Sequence, residues 1–394
     1  MYDFDTVIDR RGTGASKWAM APKHIYEGGY TPLTIADMEF KTAPEIQAAL
    51  HKAVDHGIYG YTYADSEYFE ALKAFMLKRR GWEIRHEWFV TTPGVISALN
   101  IAVRAFTNSS DAVIIQTPVY PPFKSVVERN GRTLLKNPLI YKGGRYTMDY
   151  ENLELLCKRA DAKLLILCSP HNPVGRVWTY EELKQLGEIA KRNGVMVLSD
   201  EIHGELILNG NRHITFSTID GMEQNCIICT AMSKTFNLAG MCCSNIFIPN
   251  AEFMSAFRRR LEGEGVPGIP ALSRYAAIAA FRDGGAWLDE LIKYVEDNFE
   301  TLYDFIDRRL PMLDYIRAEG TYLAWVDMRR LGMTIEEQED LMLNKANLAL
   351  DEGYIFGDEG SGFERINLAL PRSELLRALE RLENAVYSLA VKEK

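Results

Sequence analysis

Short unbroken runs of apolar residues alternate along the chain with longer stretches in which apolar residues recur at helical spacing. The apolar runs of the middle of the chain lie within 111–116, 163–168, 195–198 and 226–229. Runs of this length are typical of strands that are buried on both faces, and intervening stretches such as 181–193 have the period of an amphipathic helix. This alternation predicts an α/β fold that is built on a mostly parallel sheet.

The two ends of the chain have a different character. Residues 1–30 are irregular, whereas the last part of the chain mixes helical and strand patterns. The further elements that we expect are helices at 43–54, 66–80, 286–309 and 335–352 and strands at 321–328 and 365–370. We therefore predict an N-terminal arm with part of a small domain at 1–45, a large domain at 46–280 and a C-terminal α+β small domain at 281–394.

Composition and charge restrict the class of protein. A chain of 394 residues, 47% apolar and 25% charged, is typical of a soluble globular protein with two or three domains. No apolar run approaches the roughly 18 residues of a membrane span, and the first residues lack the apolar core of a signal peptide. The net charge of -9 disfavours nucleic acid as the main partner. We therefore expect a cytoplasmic protein without membrane or nucleic-acid partners.

The six cysteines allow one alternative interpretation, a metal or redox pair at Cys226 and Cys229. Residues three apart in a strand point to opposite faces of the sheet, and no second pair completes a metal site. We therefore expect buried, reduced cysteines, as is usual in cytosolic proteins, and no metal.

Three of the predicted strands are followed by polar residues of complementary chemistry. Asn172, Asp200 and Lys234 each follow one of the last three apolar runs. The carboxyl ends of parallel strands meet at one edge of a sheet, where ligands bind. Pyridoxal phosphate (PLP) requires a lysine for its aldehyde, a carboxylate for its pyridine nitrogen and a donor for its ring oxygen. These side chains predict a PLP site, although a solvated surface residue is the alternative interpretation of Lys234 taken alone.

Other positions carry weaker signals. Gly94 precedes a helical stretch, and a glycine there lets backbone N–H groups and the helix dipole face an anion such as a phosphate. Tyr120 follows the first apolar run, where an aromatic ring can stack on a flat cofactor. An ordinary turn at Gly94 and core packing of Tyr120 are the alternatives. Packing is also the alternative for Tyr61, which lies in a cluster of tyrosines.

Nine short motifs link nearly the whole chain to a known family. In chain order they read FDTVIDRRGT, IADMEF, HGIYGY, TPVYPPF, SPHNPVGRVW, SDEIH, SKTFNLAG, GTYLAWVDMR and GFERINLALPR. They resemble the motifs of the fold-type I PLP enzymes, and most closely those of the MalY/PatB-type cystathionine β-lyase, or C–S lyase, branch of the class I/II aminotransferases. The resemblance implies PLP as the cofactor and an aspartate aminotransferase-like fold, with a mostly parallel central sheet and a smaller α+β domain.

The resemblance also assigns roles to residues within these motifs. It implies that Lys234 binds the cofactor and moves protons, that Asp200 pairs with the pyridine nitrogen, and that Asn172 donates to the ring oxygen. By the same resemblance, Tyr120 stacks on the ring. Arg365 is expected to bind the substrate carboxylate, because a planar guanidinium suits a bidentate partner.

For the phosphate of the cofactor, the resemblance implies backbone donors at Gly94, Val95 and Ile96 and the hydroxyl of Ser233. Tyr61 resembles the tyrosine that reaches the phosphate bound by the neighbouring subunit. A homodimer is therefore expected, in agreement with the prevalence of two-fold assemblies.

Some positions distinguish the chain from its expected relatives. His203 stands where aminotransferases often have tyrosine, and Cys242 stands where they often have an arginine on the phosphate. Neutral donors are then expected to bind the phosphate. His203 is expected among the cofactor-binding residues, near a ring oxygen, either as a group that titrates near neutrality or as a structural histidine. Ala19, Glu39 and Glu352 depart from the pattern of the C–S lyase branch, which bears on substrate specificity.

The first functional hypothesis is a C–S lyase that performs β-elimination on an S-substituted cysteine and releases pyruvate, ammonia and a thiol. An aminotransferase acting on an amino acid substrate is the first alternative. The second, from another class, is a regulatory protein that binds a transcription factor, because members of this branch can act as regulators.

Overall fold

The structure of the protein is a computed structural model that describes residues 2–19, 30–266 and 268–390. Its strands are, in chain order, β1 (Thr31–Pro32), β2 (Phe89–Thr92), β3 (Ala112–Ile115), β4 (Thr133–Lys136), β5 (Ile140–Lys142), β6 (Arg145–Thr147), β7 (Ala162–Cys168), β8 (Met196–Asp200), β9 (Cys226–Thr230), β10 (Ser244–Phe247), β11 (Asp314–Ile316), β12 (Leu323–Asp327), β13 (Leu348–Ala349), β14 (Asp351–Glu352) and β15 (Phe363–Asn367). Its α-helices are, in chain order, α1 (Ser16–Ala19), α2 (Pro44–His56), α3 (Ser66–Arg80), α4 (Val95–Phe106), α5 (Pro122–Arg129), α6 (Tyr150–Cys157), α7 (Tyr180–Arg192), α8 (Met232–Thr235), α9 (Ala251–Gly263), α10 (Ala271–Asp283), α11 (Gly285–Arg309), α12 (Ile335–Asp340) and α13 (Arg372–Ala390).

A seven-stranded sheet forms the centre of the fold. Its strand order is β2-β10-β9-β8-β7-β3-β4, and neighbouring strands are parallel except at β10, which runs antiparallel to β2 and β9. Buried apolar side chains form one cluster on each face of this sheet. The predicted α/β class and the mostly parallel sheet are confirmed.

Burial on both faces explains the unbroken apolar runs of the sequence. β8 and β9 lie in the middle of the sheet and are buried along their whole length. Cys226 and Cys229 belong to different apolar clusters, so their thiols face opposite sides of the sheet. All six cysteines are free. Within the described ranges, no group of three or more His, Cys, Asp or Glu side chains is placed to hold a metal ion.

The helices begin and end where local signals predict. At α3, which matches the prediction at 66–80, the side chain of Asp65 accepts a hydrogen bond from the main-chain N–H of Tyr68, and Gly81 follows in the left-handed conformation with a φ of 65°. The other predicted helices that the structure confirms are α2, α7 and α11. Of the helices in the described part of the chain, none is both long and apolar enough to cross a membrane.

A four-stranded antiparallel sheet, in the order β11-β12-β15-β14, lies in the C-terminal part of the chain. The strands predicted at 321–328 and 365–370 correspond to β12 and β15. The helix predicted at 335–352 is wrong in its second half, because α12 ends at Asp340 and a short π-helical turn and two strands follow. β13 and β14 pair with β1 and β15, and these long-range pairings override the local apolar spacing.

The N-terminal arm lies against the C-terminal part of the chain. β1 pairs in parallel with β13, and the ring of Phe4 lies 5.1 Å from that of Phe40 and 5.7 Å from that of Trp287, measured between centroids. The seven-stranded sheet falls within 46–280 and the four-stranded sheet within 281–394. The domain boundaries themselves remain predictions.

β15 contains a buried carboxyl group without a counter-charge. Glu364 is 0% exposed, its Oε1 accepts a 2.7 Å hydrogen bond from Nε2 of Gln338, and its Oε2 has no partner. Glu352 lies directly opposite in the pairing of β14 with β15. Burial raises the pKa of Glu364 well above its usual value, and the charges of Glu352 and Asp351 raise it further.

Replacement of Glu364 by glutamine should therefore raise the free energy of unfolding at neutral pH. A carboxyl whose pKa is higher in the folded than in the unfolded protein makes its full contribution to stability below the unfolded pKa of about 4.3. This contribution is lost as the pH rises from that value toward the pKa of the folded protein. Glutamine retains the neutral shape without titrating. Urea unfolding at several pH values should show that the free energies of unfolding of the wild-type and Glu364→Gln proteins diverge as the pH rises. A difference that stays constant with pH would contradict the prediction.

Candidate active site

A cavity of about 340 Å³ opens at the carboxyl edge of β7 and β8. It brings together every predicted site residue except Tyr61: Gly94, Val95, Ile96, Tyr120, Asn172, Asp200, His203, Ser233, Lys234 and Arg365. The polar residues that follow the three central strands therefore converge, as the parallel sheet predicts.

Lys234 lies in α8, just after β9, with its side chain directed into this cavity. Its Nζ donates a 2.6 Å hydrogen bond to the main-chain oxygen of Ala36. Burial and, next to it, the positive charge of Arg365 lower the pKa of Lys234 to about 8, although the charges of Asp37 and Asp200 act in the opposite direction. Near neutral pH the neutral, nucleophilic form of the amine is therefore far more populated than in an exposed lysine.

Asp200 is the last residue of β8 and is 5% exposed. Its Oδ1 accepts a 3.1 Å hydrogen bond from the main-chain N–H of Ile202. Burial raises the pKa of Asp200 to about 7, although this hydrogen bond and the charge of Lys234 act in the opposite direction. A buried carboxyl group of this kind favours a cationic ligand atom, because the added charge stabilises its ionised form.

The orientation of the Asn172 amide is fixed by Arg365. Nη1 of Arg365 donates a 2.9 Å hydrogen bond to Oδ1 of Asn172, which leaves the Nδ2 donors of the amide for a ligand. The main-chain oxygen of Asn172 also accepts a 3.2 Å hydrogen bond from the N–H of Tyr120. This bond holds Tyr120 at the cavity wall, where burial and the charge of Asp200 raise the pKa of its hydroxyl.

His203 is 2% exposed and packs edge-on against Tyr322, with 6.0 Å between ring centroids. Burial, together with the charges of Lys234 and Arg365, lowers the pKa of His203 to about 3. The imidazole is therefore neutral at physiological pH. This environment favours a structural role of His203 over that of a group that titrates near neutrality.

The end of the cavity beside α4 offers neutral donors. α4 begins at Val95, directly after Gly94, whose φ of 148° favours glycine. No neighbouring atom lies within 4 Å of the position that a Cβ of Gly94 would occupy. The first N–H groups of a helix lack intrahelical acceptors and carry the positive end of its dipole, so this end suits an anion. Ser233 and Cys242 add a hydroxyl and a thiol to the same cavity.

Arg365 is almost completely buried and is held at both ends of its guanidinium. Besides the bond to Asn172, its Nη2 donates a 2.5 Å hydrogen bond to Oδ2 of Asp351, and Phe356 lies 4.9 Å below the guanidinium carbon. Its Nε is buried without a partner. This planar donor array suits a carboxylate ligand.

Tyr61 lies outside the cavity. Its side chain is 95% exposed and lines a surface groove with Tyr59, Tyr63 and Met241. Pro93 lines both the groove and the cavity, so the two adjoin. Within a single chain, Tyr61 is therefore separate from the other predicted site residues.

Among the cavity residues that sequence reasoning misses, Asp351 and Ala36 contact predicted site residues directly. Asp351 falls within the part of the chain that is wrongly predicted as a helix. Ala36 acts through its main-chain oxygen, which has no side-chain signal, although the quoted motif IADMEF contains it. That motif is the signal that could have indicated its position.

Comparison with known proteins identifies the family. Residues 30–382 match the model of the family described as aminotransferase class I and II. The chain is 39% identical to cystathionine beta-lyase PatB of Bacillus subtilis, over 98% of this chain and 100% of that protein. It is 32% identical to protein MalY of Escherichia coli, over 99% of this chain and 100% of that protein.

Solved structures agree with these sequence similarities. Cystalysin from Treponema denticola, whose structure contains a pyridoxal 5′-phosphate cofactor, superposes with a TM-score of 0.95 at 41% identity, over 99% of this chain and 100% of that one. The PLP-bound C–S lyase from Staphylococcus hominis superposes with a TM-score of 0.91 at 33% identity, over 98% of each chain. The chain therefore belongs to the aminotransferase class I and II family, in the branch that contains the PatB and MalY cystathionine β-lyases.

Proposed function

We propose that this protein is a PLP-dependent C–S lyase that cleaves S-substituted cysteines to pyruvate, ammonia and a thiol. The observation that carries the proposal is the convergence of Lys234, Asp200 and Arg365 in one cavity. Their chemistry provides an amine of lowered pKa, a buried carboxyl and a carboxylate-binding guanidinium. Relatives that match this chain over nearly its whole length bear the names cystathionine β-lyase and C–S lyase.

The residues of the cavity fit PLP. Nζ of Lys234 is suited to react with the aldehyde of PLP, and Asp200 is suited to pair with the pyridine nitrogen. Nδ2 of Asn172 can donate to the ring oxygen, and the N-terminus of α4 is suited to bind the phosphate. The buried Asp200 supports this assignment, because a cationic partner such as the protonated pyridine nitrogen would lower its raised pKa and stabilise its ionised form. When bound, PLP supplies an electron-withdrawing ring that makes the Cα proton of an amino acid acidic.

In the reaction, the residues of this chain position the substrate and move its proton. Arg365 binds the α-carboxylate and so holds the Cα–H bond in a fixed direction; positioning of this kind lowers the barrier by several kcal/mol. Lys234 would remove the Cα proton through its neutral Nζ. A thiolate on Cβ is a good leaving group, so elimination competes well with return of the proton.

Product analysis tests the proposal. Holoenzyme is incubated with cystathionine and a panel of S-alkyl cysteines, and pyruvate and thiol are measured beside transamination of keto acids. Pyruvate and thiol in equal amounts support the lyase. Formation of the amine form of the cofactor without pyruvate would instead identify an aminotransferase.

We also propose a homodimer in which Tyr61 of one subunit reaches the phosphate site of the other. The exposed tyrosine-lined groove beside the cavity supports this arrangement, since an aromatic surface of this kind favours a protein partner. The cytoplasmic location is likewise a proposal, supported by six free cysteines.

Subunit mixing should reveal shared sites. Lys234→Ala and Tyr61→Ala proteins, each of low activity, are unfolded together and refolded. Half of the resulting dimers are mixed, and each mixed dimer has one intact site, so about a quarter of wild-type activity should return. Activity equal to the mean of the two variants, or a fully active monomer in sedimentation, would contradict the proposal.

A further inference from the structure

We infer that Asp351 is a positioning residue that couples Arg365 to the segment preceding Ala36. The carboxylate of Asp351 thereby aligns both the guanidinium that binds the substrate and the main-chain oxygen that accepts a hydrogen bond from the Lys234 amine. This inference rests on the proposed function, because it takes Arg365 as the site of the substrate carboxylate. Asp351 acts through its neighbours and has no step of its own in the chemistry.

The contacts of Asp351 join two distant parts of the chain. Its Oδ2 accepts hydrogen bonds from Nη2 of Arg365 at 2.5 Å and from the main-chain N–H of Ile35 at 3.1 Å. Its Oδ1 accepts a 2.7 Å hydrogen bond from the hydroxyl of Thr34. Asp351 and Arg365 are also direct partners in the pairing of β14 with β15. The side chains of the two are 14% and 5% exposed, so the pair is weakly screened by solvent.

The segment that Asp351 holds has an unfavourable backbone conformation. Ile35 has a φ of 43°, in the left-handed region, which is strained for a β-branched residue. Such a conformation persists only where neighbouring groups stabilise it. The side chain of Asp351 accepts a hydrogen bond from the N–H of Ile35, and Nδ2 of Asn367 donates a 2.8 Å hydrogen bond to the main-chain oxygen of Ile35. Asp351 therefore holds a strained position next to the active site.

The strained position lies directly before Ala36. The main-chain oxygen of Ala36 accepts hydrogen bonds from Nζ of Lys234 at 2.6 Å and from the hydroxyl of Tyr322 at 2.8 Å. Relaxation of Ile35 would rotate this carbonyl group away from both donors. The direction of the Lys234 amine thus depends on the same carboxylate that orients Arg365.

Asp351 also determines how Arg365 can receive a ligand. With Nη1 on Asn172 and Nη2 on Asp351, the guanidinium cannot rotate, and its buried Nε is still without a partner. In an Asp351→Asn variant, an amide N–H₂ would replace one of the acceptor oxygens. If that group faces Nη2 of Arg365, two donors meet and the guanidinium must turn away.

The test compares two probes that differ only in a carboxylate, L-alanine and ethylamine, neither of which has a leaving group. Binding to the holoenzyme is followed through the visible absorbance of the cofactor. Asp351→Asn should weaken L-alanine binding by at least roughly tenfold and ethylamine binding by a smaller factor of about threefold, which reports the displaced acceptor of the Lys234 amine. Asp358→Asn is the matched control, because Asp358 is 92% exposed in its ion pair with Lys136 and should change neither probe.

Two further variants exclude a merely structural effect. In an Arg365→Ala background, Asp351→Asn should weaken L-alanine binding only by the small factor seen with ethylamine, because the residue through which the carboxylate-selective effect acts is absent. Thr34→Val removes the hydrogen bond that the Thr34 hydroxyl donates to Asp351. It should weaken L-alanine binding by about threefold and leave ethylamine binding unchanged. This milder variant keeps the inference testable if Asp351→Asn fails to fold.

Equal weakening of L-alanine and ethylamine would overturn the inference, as would wild-type L-alanine binding in Asp351→Asn. These outcomes test the role of Asp351 and are independent of whether the proposed lyase function is correct. If the wild-type protein binds L-alanine but releases no pyruvate from any cysteine thioether, the lyase proposal fails and the positioning role of Asp351 is retained.

Discussion

Replacement of Lys234 by alanine is expected to lower kcat for pyruvate release by at least about 10⁴-fold, while the protein remains folded. The amine is both the proposed point of attachment for the cofactor and the base that removes the Cα proton, so its loss removes two functions. Its low pKa of about 8 depends on burial beside Arg365. An exposed lysine elsewhere cannot substitute for it, because its amine is almost fully protonated at neutral pH.

The measurement combines pyruvate release with the visible absorbance of the purified protein. Borohydride reduction followed by peptide mass analysis should label Lys234 in the wild-type protein and no lysine in the variant. Lys158→Ala, which changes a lysine with a 61% exposed side chain, serves as the control and should retain full activity and labelling. A labelled lysine in the Lys234→Ala protein would show that the assignment is wrong.

Replacement of Arg80 by leucine is expected to destabilise the fold by about 3–5 kcal/mol. The guanidinium is buried between two carboxylates and donates 2.6 Å hydrogen bonds to Oε1 of Glu205 and Oε2 of Glu201. Burial alone would raise the pKa of Glu201, but His213 and Arg80 outweigh it and hold this pKa below its usual value. Without Arg80, Glu201 and Glu205 are left as buried carboxylates that lack the positive charge between them.

The neighbouring residue provides the control for Arg80. Arg79 pairs with Asp289, whose side chain is 64% exposed, so Arg79→Leu should cost no more than about 1 kcal/mol. Urea unfolding followed by circular dichroism gives both values. Adding Glu201→Gln and Glu205→Gln to Arg80→Leu should recover part of the loss, since the unpaired charges are removed. Equal effects of the two arginine variants would contradict the explanation.

The same cluster connects the two central residues of the proposed site. Glu201 directly follows Asp200, and Oε2 of Glu205 accepts a 3.2 Å hydrogen bond from the hydroxyl of Thr235, the residue after Lys234. A change at Arg80 should therefore also weaken cofactor retention. The buried network fixes the end of β8 relative to α8.

The central sheet could be predicted from the sequence because its strands are buried on both faces. Burial on both faces leaves an unbroken apolar run, and the polar residues that follow it mark the edge where Asn172, Asp200 and Lys234 meet. Each of these signals is local in the sequence. The predicted and observed sheets therefore agree because of a rule of sheet geometry that does not depend on the rest of the chain.

The parts that could not be predicted depend on contacts between distant residues. Asp351 is an ordinary acidic residue by sequence, and its importance appears only when β14 pairs with β15 beside Thr34. The low pKa of His203 follows from burial, which a single sequence does not report. The apolar spacing that suggests a helix up to 352 is overridden by strand pairing with β1 and β15.

The neutral end of the cavity beside α4 has a consequence for how the cofactor is acquired. A chain with a net charge of -9 repels a phosphate dianion at long range, and main-chain N–H groups exert little attraction beyond contact distance. We therefore expect association with the cofactor to be slower than at a site built around arginine. Once bound, the phosphate is held by short-range donors that dissolved ions screen little, so the loaded state is insensitive to ionic strength.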